Sequence, residues 1–255
     1  MNKRLRNTIL AVFSIITIGC IVFGTFRMFG IGRGKVPFWG PLLGASDKSG
    51  TVGATKIAED IDDIDVILSY GDITIEKGNN NAVSVECNVE EFTPIVECKN
   101  GKLVIVSPDN NVVNTEFLNI SVNVTVKDDI DNMEVDLALG DAAIKNVEVT
   151  EKMDISLSLG DLTIDNGSTK SLEVDSSLGN VDISKCKFDD ADIQASLGDT
   201  KVEVCDEIDN YSMDLTCSLG DVNVDHDKYS DYYKSNNGNK RLVINCDLGD
   251  ISVEK

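Results

Sequence analysis

The chain has 255 residues, 44 of them acidic and 23 basic, for a formal charge of −21. Residues 1–45 hold six of the basic side chains and none of the acidic ones, so residues 46–255 set 17 basic against 44 acidic, a balance of −27. A surface of that sign repels nucleic acid and anionic lipid, which excludes nucleic-acid binding for the folded part and favours cations or basic partners. The acidic residues are interleaved with Val, Ile and Leu, so they do not form a disordered tail.

From Thr8 to Phe26 the chain runs 19 residues without a charge. At about 1.5 Å per residue this is roughly the thickness of a bilayer core. Lys3, Arg4 and Arg6 precede it and no Ala-x-Ala-like cleavage site follows. Residues 1–29 therefore read as a cytoplasmic tail and an uncleaved transmembrane signal anchor, with membrane contact through residues 8–26. The expected location is the cell membrane, single-pass, with the C-terminal domain extracytoplasmic. Thr17-Ile18-Gly19-Cys20 is a weak lipoprotein-type sequence, which makes lipidation at Cys20 the rival reading. Residues 30–54 contain seven glycines with Pro37 and Pro41 and read as a tether.

Residues 55–129 are strand-rich. "AVSVECNVEEF", "IVECKNGKLVIVS" and "LNISVNVTV" alternate apolar and polar, and Lys99-Asn100-Gly101-Lys102 has the composition of a hairpin turn. This part is expected to pair partly antiparallel and to cover the open end of the repeat array downstream.

Residues 130–255 repeat one phrase, Ser-Leu-Gly-Asp with small changes, centred on Gly140, Gly160, Gly179, Gly198, Gly220 and Gly249, with Gly71 as an earlier outlier. Successive spacings are 20, 19, 19, 22 and 29 residues. The residue four places after each glycine is β-branched without exception: Ile75, Ile144, Ile164, Ile183, Val202, Val224 and Val253. Period-two alternation on both sides of the glycine marks half-buried strands. In the unit around Gly160 the inward set reads Ile155, Leu157 and Leu159 before the corner, then Leu162 and Ile164 after it. The parity slips across Gly160-Asp161, which requires a corner. Glycine tolerates the angles and aspartate bonds nearby backbone. The turn motif is thus Gly71-Asp72, Gly140-Asp141, Gly160-Asp161, Gly179-Asn180, Gly198-Asp199, Gly220-Asp221 and Gly249-Asp250. No useful helix fits between motifs. The predicted fold is all-β, a parallel β-solenoid of coils about 20 residues long with a right-handed path.

Candidate chemistry is sparse. Stacked coils would bring neighbouring aspartates to about 4.8 Å, where like charges repel. A calcium ladder on Asp141, Asp161, Asp199, Asp221 and Asp250 would relieve this, but turn-forming aspartate bonded to corner backbone is the default, and Asn180 fills the same place without charge. The outward serines lack a base, since His226 is the one histidine. The seven cysteines include no C-x-x-C pair, and Cys87, Cys217 and Cys246 fall on inward positions. No catalytic residue, metal site or cofactor is expected. Tyr229, Tyr232 and Tyr233 form an aromatic cluster in the long excursion Asp225–Arg241, suited either to plugging the last coil or to meeting a ligand.

The run "ISVNVTVKDDIDNMEVDLALGDAAIKNV", the tandem SLGD units and the single N-terminal apolar segment together resemble a bacterial cell-envelope family of candidate adhesins, domain of unknown function 4097. The resemblance spans residues 55–255 and implies a β-solenoid in an envelope setting, with no catalytic residues to carry over. Lys127 departs from a common proline of the family. The functional expectation is a non-enzymatic, membrane-tethered adhesion or interaction module with an unidentified envelope or surface ligand. The alternatives are an enzyme acting on envelope polysaccharide and an envelope-stress sensor or regulator.

Overall fold

The computed structural model describes residues 51–57, 59–108 and 118–255. The expected membrane anchor, Cys20 and the tether as far as residue 50 lie outside the described residues. Among those described, no helix is long and apolar enough to cross a membrane. Thr51–Lys56 is a strand paired antiparallel with Ala82–Cys87.

Each repeat builds one coil from two strands meeting at the glycine corner. Val149–Leu159 and Leu162–Asp165 form the coil of Gly160, and Ser171–Leu178 and Val181–Cys186 form the next. First strands pair with first strands and second with second, parallel and in register: Ile155 opposite Val174, Ile164 opposite Ile183. The described strands thereby make two long sheets, one of 11 strands and one of 10. Their inward residues meet in a single apolar core. A first-strand column runs Val66, Val135, Ile155, Val174, Ile193, Ile244, Leu215, all buried. Such a column removes apolar surface equivalent to about 2 kcal/mol per side chain.

The coil order in space departs from the order in sequence at both ends. The earlier glycine, Gly71, is no outlier: its strands Asp63–Leu68 and Asp72–Lys77 pair directly with Ile130–Leu139 and Ala142–Lys145. Lys102–Val106 and Ile120–Val126 come later in sequence yet add parallel on the outer side of that first coil. Antiparallel strands Ala82–Cys87 and Ile95–Lys99 then cover this end, with Thr51–Lys56 at the sheet edge beyond Ala82–Cys87. Asn100 (φ 52°) and Gly101 (φ 80°) turn the hairpin at Lys99–Lys102.

At the other end the final strands, Lys240–Leu248 and Ile251–Glu254, insert between Asp190–Leu197/Thr200–Val204 and Tyr211–Leu219/Val222–Val224. Val202 therefore faces Val253, and only Val253 reaches Val224. The excursion makes this possible by passing over the outermost coil. Within it, Asp227–Tyr229 and Tyr232–Lys234 add antiparallel to Val222–Val224 and Tyr211–Leu219.

Removing residues 238–255 therefore deletes an interior coil. The outermost coil would lose its parallel neighbour, so the expected result is loss of cooperative thermal unfolding followed by circular dichroism. A shortened chain that melts as sharply as the full one would show that the insertion is not needed.

Candidate functional site

The repeated corner is the one place where a chemically distinctive residue recurs along the whole array. Three consecutive backbone N–H groups meet there. The Gly160 N–H donates to Leu178 O and the Leu162 N–H to Asn180 O, both 2.9 Å, toward the next coil. The middle N–H, of Asp161, points the other way. It donates to the carboxylate of Asp141, 2.8 Å away. The same bond repeats along the array: Asp141 N–H to Asp72 (2.9 Å), Asn180 N–H to Asp161 (2.6 Å), Asp199 N–H to Asn180 Oδ1 (3.0 Å), Asp250 N–H to Asp199 (2.9 Å) and Asp221 N–H to Asp250 (2.9 Å). The aspartate thus serves the neighbouring coil, where the sequence suggested its own corner. Six side chains each satisfy one donor in the following coil, and the N–H donors offset the repulsion within the column.

Glycine is required by contact as well as by angle. Gly160 has φ +139°, and a Cβ built there would lie 1.8 Å from Gly140 O. The corner of each coil rests directly on the corner before it.

The end of the ladder is closed by a residue the sequence did not reveal. Asp221 has no further coil to serve, and Lys228 Nζ, from the antiparallel strand Asp227–Tyr229, lies 2.6 Å from its second oxygen. A second corner carries a further missed contact. Asn146 (φ 57°) and Asn166 (φ 54°) adopt left-handed backbone, and the Asn166 amide donates to Asn146 Oδ1 at 2.8 Å. Both stand six residues after their glycine, so the signal was present in the repeat columns.

The leucine before each glycine is the principal correction. Leu159, read as inward, is 46% exposed, while Ile155 and Leu157 are buried. Leu139, Leu178 and Leu219 are likewise exposed. The slip in parity falls between Leu157 and Leu162, and Leu159 stands on the outside of the corner.

His226 is exposed, in a turn with φ 71° between Asp225 and Asp227. A shallow groove of about 300 Å³ on the edge away from the glycine corners is lined by Thr150, Lys170, Lys187, Phe188, Asp189 and Lys240, among others. Two of its lysines are committed: Lys170 pairs with Glu151 at 2.6 Å, and Lys240 with Asp206 at 2.6 Å while lying 5.7 Å from the Tyr211 ring centre. The Lys240 hydrogen bond holds the Asp206 carboxyl below its ordinary range. Every lysine with a displaced pKa is raised by carboxylate partners, the opposite of what a lysine base needs. Among the described residues no cluster of three or more His, Cys, Asp or Glu side chains is placed to hold a metal ion.

The tyrosines divide. Tyr229 and Tyr233 meet at 4.7 Å between ring centres, tilted by 53°, and pack against the core as a plug, whereas Tyr232 is 48% exposed. The six described cysteines are free thiols. Burial pushes Cys186 and Cys246 up to about 12, and Cys217 up as well. Cys217 pairs with Cys246 in adjacent parallel strands.

Residues 55–254 match the family described as Toastrack DUF4097. Among solved structures, the chain is similar to a candidate cell adhesion protein from Clostridium sporogenes, at 16% identity and a TM-score of 0.51 over 81% of this chain and 99% of that one. It is also similar to a candidate adhesin from Bacteroides fragilis (14% identity, TM-score 0.45, 82% of this chain and 98% of that one). Another, from Parabacteroides merdae, has 11% identity and a TM-score of 0.36 over 79% of this chain and 95% of that one. No curated protein matches the chain.

The corner and the thiols can each be tested by a simple measurement. Asp161→Asn keeps the acceptor, as Asn180 does, and should leave the melting temperature nearly unchanged. Asp161→Ala should cost about 1 kcal/mol in denaturant unfolding. Equal losses in both variants would show that charge, not the acceptor, matters. For the cysteines, folded pKa values of about 12 against an ordinary 9.0 mean that the folded state holds its protons more tightly. The stability they contribute is complete below about pH 9 and falls as pH rises toward 12. Alkylation at pH 8 should accordingly be slow at Cys186 and Cys246 until denaturant is added, as read by mass spectrometry.

Proposed function

The chain belongs to the Toastrack DUF4097 family, and from that premise we propose that it is a non-enzymatic interaction module of the adhesin kind, tethered to the membrane and displayed at the bacterial cell envelope. The observation that carries this reading is the use to which the fold puts its reactive groups. The corner carboxylates accept bonds from the next coil, the lysines with displaced pKa values sit against carboxylates, and the buried thiols stay protonated. What the molecule offers outward is a rigid, repetitive surface, which suits extended contact better than turnover of a substrate. The solved structure described as a candidate cell adhesion protein supports the adhesion-like part of this reading.

The tethering half of the proposal rests on the uncharged stretch Thr8–Phe26 behind Lys3, Arg4 and Arg6, and on the placement of every acidic residue beyond position 45. Deleting residues 1–45 should release a soluble fragment with an intact β-type circular-dichroism spectrum, whereas the full chain should sediment with membranes and be digested by protease added outside intact protoplasts. The fragment is expected to associate saturably with envelope fractions of the host bacterium, competed by excess fragment. Association no greater than that of an unrelated acidic protein of similar charge would remove the interaction reading.

A further inference from the structure

Of the three residues in Leu-Gly-Asp, two are explained by the fold. Glycine is fixed by its backbone angle and the carbonyl stacked beneath it, and aspartate by its bond to the next coil. The leucine is explained by neither. It stands at one edge of every repeat coil, with Leu139 40%, Leu159 46%, Leu178 38% and Leu219 58% exposed and Leu197 and Leu248 half-buried; Tyr70, in the same place in the coil of Gly71, is half-buried and packs partly against the core. In spatial order the row runs Tyr70, Leu139, Leu159, Leu178, Leu197, Leu248, Leu219. With strands about 4.8 Å apart, seven rungs make an apolar row roughly 29 Å long.

We propose that this ridge is a docking surface for a basic amphipathic helix of a partner protein, laid lengthwise along the corners. The proposal rests on the interaction-module reading and names its site. The charge beside the ridge selects the partner. Asp72, Asp141, Asp161, Asp199, Asp250 and Asp221 follow the ridge one glycine away, and of these only Asp221 is paired with a lysine among the described residues. A second copy of the chain would bring like carboxylate columns together, and an anionic membrane would be repelled for the same reason. Lysine or arginine flanking a line of apolar side chains meets both demands. A strand cannot add here, because the corner N–H groups are already bonded from coil to coil. A helix of about 20 residues spans roughly 30 Å, the length of the ridge.

The test uses the full chain in nanodiscs of zwitterionic lipid, with empty nanodiscs subtracted, and a fluorescent synthetic helix of leucine and lysine whose leucines form one line. Anisotropy titration should show binding at least tenfold tighter than for a scrambled peptide of the same composition. Leu159→Ser with Leu178→Ser should weaken binding tenfold or more while leaving the melting temperature within a few degrees. Asp141→Asn with Asp161→Asn and Asp199→Asn keeps the corner acceptors, and should both weaken binding and flatten its salt dependence. The asparagine variant decides the matter if the serine variant fails to fold. Equal binding of the scrambled peptide, or unchanged affinity in the asparagine variant, overturns the proposal. So does dimerisation of the wild-type chain that the serine variant abolishes, or binding of the chain to bare zwitterionic vesicles that the serine variant loses. If the fragment lacking residues 1–45 associates with envelope fractions equally with and without the two serine changes, the ridge fails as the site while the broader interaction reading stands.

Discussion

The three N–H groups of the glycine corner set the terms for the rest of the molecule. A coil that reverses direction over two residues cannot aim all three at the same neighbour, so the middle one needs an acceptor from the coil on its other side. A short side chain with an oxygen two bonds from Cβ, aspartate or asparagine, reaches it at 2.6 to 3.0 Å. Glycine must precede it, since any Cβ would strike the carbonyl below. Once that corner repeats at the spacing of hydrogen-bonded strands, the flanking residues fall into register without further instruction. Like then stacks on like, Ile155 on Val174 and Ile164 on Ile183, and two sheets share one core.

An array of this kind has two open ends, each a template for unwanted pairing. Both are closed by reversing strand direction. Ala82–Cys87 and Ile95–Lys99 lie antiparallel at one end, Asp227–Tyr229 and Tyr232–Lys234 at the other. The second closure also handles electrostatics, because the strand that covers the last coil delivers Lys228 to the last unsatisfied carboxylate of the ladder. The tilted pair Tyr229 and Tyr233 packs against the apolar core at this end.

The all-β class, the coil boundaries, the buried β-branched column and the hairpin at Asn100-Gly101 were legible because each depends on local chemistry repeated many times. The direction in which Leu159 points was not, since alternation counts apolar residues and cannot know where the chain turns. The acceptor role of Asp161 toward Asn180 was hidden for a related reason: a bond between coils leaves the same sequence mark as a bond within one. The pairing of Gly71 with Gly140 was obscured by their separation of 69 positions, across which the chain forms outer strands and returns. The insertion of Lys240–Leu248 inside the array was equally invisible, because strands that fit any neighbour do not declare which one they choose. The groove near Lys240 and Asp189 gathers residues from several coils and left no spacing to read.

That insertion has a bearing on how such an array can change over generations. Duplicating a unit next to its parent is the simplest way to lengthen a repeat protein, but here the unit of Gly249, which follows that of Gly220 in sequence, lies inside it in space. A copy appended after Glu254 would find both flanks of its parent already occupied, by Thr200–Val204 and Val222–Val224. Lengthening is open only between the coils of Gly140 and Gly198, where neighbours in sequence are also neighbours in space. The evenest spacings in the chain, 20, 19 and 19 residues, lie in that interval.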